Sequence, residues 1–191
     1  VSEGEFFVFL PEGPGPHPVA FVVHAWNRDA SWYFQTAVVQ AFTERGYALV
    51  LPNGVDQDWG VENTWSSGRD EVAYLREVVT TSQALFDLDP ARYHSHGFSV
   101  GASMVWDLMC REPALFHSHA PLSGSFWTPI ERTCTAHPLV LRHTHGLDDD
   151  VMPLEGRAFG GGQGQANVYD GLAFWRDQNQ CSDSTHQVVQ D

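Results

Sequence analysis

The chain has 191 residues, 42% of them hydrophobic and 18% charged, which fits one folded domain with a core of its own and excludes a disordered chain. Twenty-four acidic residues face ten basic ones, a net charge of −14, and every basic residue is Arg. That balance excludes nucleic acid as a partner, because phosphate binding needs clustered cations, and the strand-sized apolar runs exclude a membrane span.

In chain order, Glu5 to Leu10 reads as a strand closed by Pro11 and a Gly/Pro-rich turn. Pro18 to His24 reads as a second strand, and its unbroken Val/Ala/Phe run predicts burial on both faces, as in a parallel sheet. Ser31 to Arg45 carries apolar residues at helical spacing and is predicted to be one helix stopped by Gly46. Tyr47 to Leu51 is the next strand, and Pro52 to Gly68 has the composition of a loop. Asp70 to Phe86 is the clearest helix, with Val72, Leu75, Val79 and Phe86 on one stripe. Arg92 to Phe98 then reads as a strand and Val100 to Cys110 as a helix, with almost nothing between them. Ser118 to Leu122 and Pro138 to Thr144 are predicted strands, the run Gly160 to Gln165 a flexible surface loop, and Tyr169 to Gln180 a helix. This alternation predicts an α/β fold with a mostly parallel sheet and helices on both faces.

Gly97-Phe98-Ser99-Val100-Gly101 matches G-x-S-x-G at a strand-to-helix junction. There the serine sits on a sharp turn that holds its hydroxyl clear of the backbone, and side chains two residues to either side would collide. A serine hydroxyl needs a neighbouring imidazole as base and a carboxylate to hold that imidazole. In α/β-hydrolases the order is serine, carboxylate, histidine. Asp148-Asp149-Asp150 follows the predicted strand Pro138 to Thr144 and supplies the carboxylate. The oxyanion would be bound by two backbone N–H groups, from Val100 and from Trp26 in the loop after the early strand. His24 precedes the carboxylate and reads as a core histidine rather than a base.

The three cysteines, Cys110, Cys134 and Cys181, form no CxxC pair, and the chain has no HExxH helix, so neither metal nor cofactor is expected. One disulfide plus a free thiol, or three thiols, both fit. The spacing of His94/His96 and His117/His119 is that of strand histidines. Trp26, Trp59, Trp65, Phe126 and Trp127 fall between elements, where they are pocket-lining residues or loop anchors. Val1 starts without a leader pattern, so any signal peptide lies outside the sequence, and a secreted or periplasmic location is the expectation.

These residues together resemble the polyhydroxybutyrate depolymerase and feruloyl esterase-like α/β-hydrolases of the carbohydrate-esterase type, over about Phe7 to Cys181. His24-Ala25 stands where that family has His-Gly. Asp70 to Leu75 is similar to its DVAYLR helix start, and Asp89 to Tyr93 to its DPARVY lead-in. His145 to Pro153 is similar to HGTADPVVP, and Phe174 to Cys181 to FWRxxNGC. The resemblance selects Asp149 as the triad carboxylate. It implies residues 1–191 as a single α/β-hydrolase domain, incomplete at the C-terminus. It also implies a serine esterase acting on small or polymeric hydroxyalkanoate, feruloyl or acetyl esters. Two departures matter. Ala25 replaces the family's Gly, and no Gly-Gly-His segment follows Asp149. The base is then His186 or a residue beyond Asp191, or the chain is a non-catalytic binding module on a hydrolase scaffold.

Overall fold

The computed structural model describes residues 4–64, 68–130, 133–135 and 138–182. Among them, β2 (His17–Val23), β3 (Ala48–Pro52), β4 (Leu88–Phe98) and β5 (Ser118–Leu122) run parallel, and β1 (Phe6–Phe9) closes one edge antiparallel to β3. The spatial order is β1-β3-β2-β4-β5. The chain thus steps from β2 to one side and returns to its other side. The loops after β2 and β4 therefore meet at a topological switch point, where open α/β sheets build their sites.

Two cores lie on the two faces of the sheet. Val19, Phe21, Val23 and Val50 pack against α2 (Glu71–Leu85) and α3 (Val100–Arg111), through Leu75, Val78, Val105 and Leu108. Ala20, Val22, Leu49 and Leu51 pack the other way, against Ala30 and Tyr33. The unbroken apolar run of β2 is thus buried on both sides, as its sequence predicts. The helix α4 (Val168–Gln178) adds Trp175 to the larger core.

Three expectations are corrected, and the two cysteine alternatives are narrowed to one. The helix predicted from Ser31 to Arg45 is a 3₁₀ helix (Ala30–Gln35) followed by α1 (Ala37–Thr43). Thr36 divides them, because its hydroxyl donates to Tyr33 O (2.8 Å) and accepts from Val38 N–H (3.3 Å), competing with a continuous helix. Pro138 to Thr144 does run beside β5 as a sixth line of sheet, but only through bridges at Leu141 and Thr144. Gly160 to Gln165 is no open loop. It turns the hairpin of β6 (Arg157–Gly160) and β7 (Gln163–Gln165), with Gly160, Gly161 and Gly162 all at positive φ, and Phe159 stacks on Trp127 at 5.2 Å. The cysteine alternatives resolve to a Cys110–Cys134 disulfide and an exposed, free Cys181. No helix among the described residues is long and apolar enough to cross a membrane.

Candidate active site

Ser99 stands between the last residue of β4 and the first of α3, with φ 57° and ψ −123°. That backbone conformation is strained for any residue with a Cβ, and such strain persists only where the surroundings over-determine it. The surroundings here are three glycines. A Cβ on Gly97 would lie 2.3 Å from Gly101 O. One on Gly101 would lie 2.3 Å from Val23 O and 2.4 Å from His24 O. One on Gly124 would meet Ala102 Cβ at 2.6 Å and Ser99 O at 2.7 Å. The first two are the glycines of the motif, and their role is the predicted steric one. Gly124, after β5, completes the cradle and went unnoticed in the sequence because no motif marks it. The turn is tied down by Ser99 N–H donating to Leu122 O (3.0 Å).

Val100 opens α3, so its N–H has no intrahelical carbonyl to reach and remains a free helix-terminal donor. The loop His24 to Asn27 leaves β2 directly beside this turn, since Val23 pairs with Gly97. Its Asn27 N–H is committed to Gln57 O (2.9 Å). Trp26 precedes it with an indole 65% exposed, the only one of the five loop aromatics found at the surface among the described residues. Trp59, Phe126 and Trp127 are buried core residues instead, and Trp65 lies outside the described residues. A cleft of about 370 Å³ opens along this loop, lined by Asn27, Arg28, Asp29, Trp32, Gln35 and Gln57 among others.

His24 is structural. Its Nδ1–H donates to Ala25 O (2.9 Å), its Nε2 accepts from Gly54 N–H (2.9 Å), and its carbonyl accepts from the Trp59 indole (2.8 Å). Burial holds its imidazole below the ordinary histidine value. The strand histidines are likewise absorbed. His94 Nδ1 meets Ser118 Oγ and His119 Nδ1 meets Ser95 Oγ, both at 2.8 Å. No group of three or more metal-ligating residues occurs among the described residues.

Asp149 is reached from Ser99 through the sheet. Leu122, which holds the Ser99 N–H, precedes Ser123, and Ser123 N–H donates to Thr144 O (2.9 Å) at the root of the acid loop. The Asp149 carboxylate accepts from Met152 N–H (2.8 Å) and Val151 N–H (3.1 Å). Burial alone would raise its pKa. The Met152 N–H, the Ser123 hydroxyl, the Val151 N–H and nearby His145 outweigh that and hold it below the usual carboxylate value. It is an ionised, oriented acceptor, as an imidazole-holding carboxylate must be. Asp148 and Asp150 are exposed. No histidine among the described residues is hydrogen-bonded to the Ser99 hydroxyl, and His186 lies outside them.

No family model matches the chain. Among curated proteins, it is 26% identical over 170 residues to feruloyl esterase C of Emericella nidulans, covering 82% of this chain and 58% of that protein. It is 24% identical over 171 residues to a probable feruloyl esterase C of Aspergillus terreus, with the same coverage. The chain thus spans a little over half the length of these relatives. Among solved structures, a Bacillus cereus carboxylesterase superposes with a TM-score of 0.68 at 11% identity, over 93% of this chain and 82% of that one. FphF, a fluorophosphonate-binding serine hydrolase of Staphylococcus aureus, superposes with a TM-score of 0.54 at 20% identity, over 62% of this chain and 50% of that one. The fold is that of the α/β-hydrolases. The curated relatives that the chain resembles are feruloyl esterases, at 24–26% identity.

Proposed function

We propose that the chain carries the nucleophile and carboxylate of a serine carboxylic-ester hydrolase. One observation carries the reading: Ser99 is held at a strained φ by three glycines whose Cβ positions are all occupied by backbone or by the next helix turn. Ser99 Oγ attacks the ester carbonyl carbon while its proton passes to an imidazole. The carbonyl oxygen becomes an oxyanion facing the Val100 and Trp26 N–H groups. Collapse expels the alcohol, which takes the proton, and water then releases the acid from the acyl-serine by the same steps. Asp149 orients the imidazole and stabilises its charged form.

The imidazole comes from outside the described residues, and His186 is the candidate within the sequence. Feruloyl esters are the favoured substrates among hydroxyalkanoate, feruloyl and acetyl esters, because the relatives are named for them. The Cys110–Cys134 disulfide supports an exported protein, since such bonds persist in oxidising compartments.

The test is labelling with a fluorophosphonate and hydrolysis of methyl ferulate against p-nitrophenyl acetate. Labelling at Ser99 that disappears in Ser99→Ala is expected. A protein that binds methyl ferulate but neither labels nor hydrolyses would be a binding module on this scaffold. His186→Ala tests that residue as the base: loss of hydrolysis supports it, and unchanged hydrolysis excludes it.

A further inference from the structure

The acid loop carries two half-buried histidines that the proposed reaction does not use. His143 and His145 lie at alternate positions where the sixth line of sheet ends, their ring centroids 5.2 Å apart. His143 Nε2 is 3.0 Å from His145 Nδ1, and His145 Nε2 is 2.5 Å from Met152 O. A carbonyl oxygen only accepts, so His145 Nε2 bears the hydrogen. A neutral imidazole has one N–H, so His145 Nδ1 is bare, and the hydrogen between the rings belongs to His143 Nε2. His143 Nδ1 is then bare too, and it is buried without a partner. The ring in edge contact with His143, at 5.5 Å, is Trp106, whose indole N–H is also buried without a partner. Trp106 stands on α3, the helix that begins at the nucleophile.

The far end of this hydrogen-bonded series holds one residue, Met152, by both of its backbone polar groups. Met152 gives its carbonyl to His145 and its N–H to Asp149 Oδ1 (2.8 Å). His145 Nε2 also stands 3.7 Å from Asp149 Oδ2. The opposite tautomer would turn a bare nitrogen toward that carbonyl and that carboxylate, acceptor against acceptor, and the loop would open.

We propose that His145 is the positioning residue of the Asp149 carboxylate and that His143 sets the tautomer in which it does so. The inference rests on Asp149 being the triad carboxylate. It assigns to the first residue of the His145 to Pro153 segment a task that the reaction scheme leaves unfilled.

Nitrogen-15 NMR of the unmodified protein tests the tautomers directly. Both rings should show a pyrrole-type Nε2 and a pyridine-type Nδ1, with a scalar coupling between His143 Nε2 and His145 Nδ1. Carbon-13 NMR of the Asp149 carboxyl tests the positioning. In His145→Phe its titration midpoint should rise by about one pH unit, a tenfold weaker acid. His143→Phe should raise it less, and His143→Gln, which keeps a donor, should restore it. A hydrogen on His145 Nδ1, or an Asp149 titration unmoved in His145→Phe, would overturn the proposal. These readouts need no turnover. Loss of Ser99 labelling in the unmodified protein would instead count against the hydrolase reading alone. With turnover, His145→Phe should lower kcat on the order of tenfold while KM stays within about twofold.

Discussion

The Ser99 turn and the Asp149 loop, the two halves of the proposed site, are held by opposite means. The turn is held by exclusion. Gly97, Gly101 and Gly124 bring backbone so close that no side chain fits, and Ser99 is left with one conformation. The loop is held by attraction. A Cβ on its own glycine, Gly146, would find its nearest neighbour, Asp149 Cβ, at an ordinary 3.7 Å, and hydrogen bonds from Met152 and Val151 fix the carboxylate. Steric exclusion writes itself into residue types at fixed spacing. A hydrogen-bonded loop is held by backbone N–H groups that every residue but proline carries, and it leaves only its acid visible.

The sharpest contrast comes from one kind of substitution placed in each half. Gly101→Val puts carbon against two carbonyl oxygens that cannot move apart without separating β2 from α3. It should cost more than about 4 kcal/mol or prevent folding, read from urea denaturation. Gly146→Ala should lie within about 0.5 kcal/mol of the parent. A large loss at Gly146 would mean that the acid loop too is held by packing.

Chemistry separates the halves next. Ser99→Ala removes the nucleophile without touching the cradle, so ester hydrolysis should fall by about 10³–10⁴-fold or more with the fold intact. Asp149→Asn should lower kcat by about 10³–10⁴-fold with KM little changed, because the carboxylate acts mainly in the transition state. Asp148→Asn and Asp150→Asn should each cost less than about tenfold. A triad-scale loss at either neighbour would shift the register of the loop.

Acid then probes the attractive half. Burial, with like-charged neighbours, pushes His96 and His143 down to about 4, and burial does the same to His119. Their folded values lie below the unfolded one, so the unfolded chain takes up protons first. Stability should fall as pH drops from about 6.5 toward 4. Asp149, whose folded value is depressed, contributes stability above its unfolded pKa of about 4 and loses it as pH falls through the folded value. Urea midpoints between pH 8 and 3 measure both. His143→Phe should flatten the upper slope, while Ser99→Ala should leave it unchanged, because the Ser99 turn itself holds no titratable side chain. The smallest effect belongs to strain. Ser99→Gly should stabilise by about 1 kcal/mol, the released φ strain less the entropy of glycine.

The residues that sequence reading recovered share one property: their role depends on near neighbours in the chain. Ser99, Gly97 and Gly101 fall within five positions, and β5 was bounded from Ser118 to Leu122 by alternation and turns. The division of the first helix at Thr36 escaped it, because one hydroxyl outweighed seven apolar positions at helical spacing. The hairpin at Gly160 to Gly162 escaped it too, since glycine-rich composition marks a turn and an open loop alike.

By itself, then, the sequence determined the α/β class, the serine on its strand-to-helix turn and the acidic loop where the carboxylate would lie. Periodicity and steric exclusion act over short stretches and survive in the order of residues. Only the tertiary structure decided that Gly124 completes the cradle and that Ser123 N–H ties the end of β5 to Thr144 at the root of the acid loop. It alone brought His143 and His145 between helix α3 and the Met152 peptide. Those relations join residues of different strands and loops, and they arise when the sheet brings β4, β5 and the sixth segment side by side.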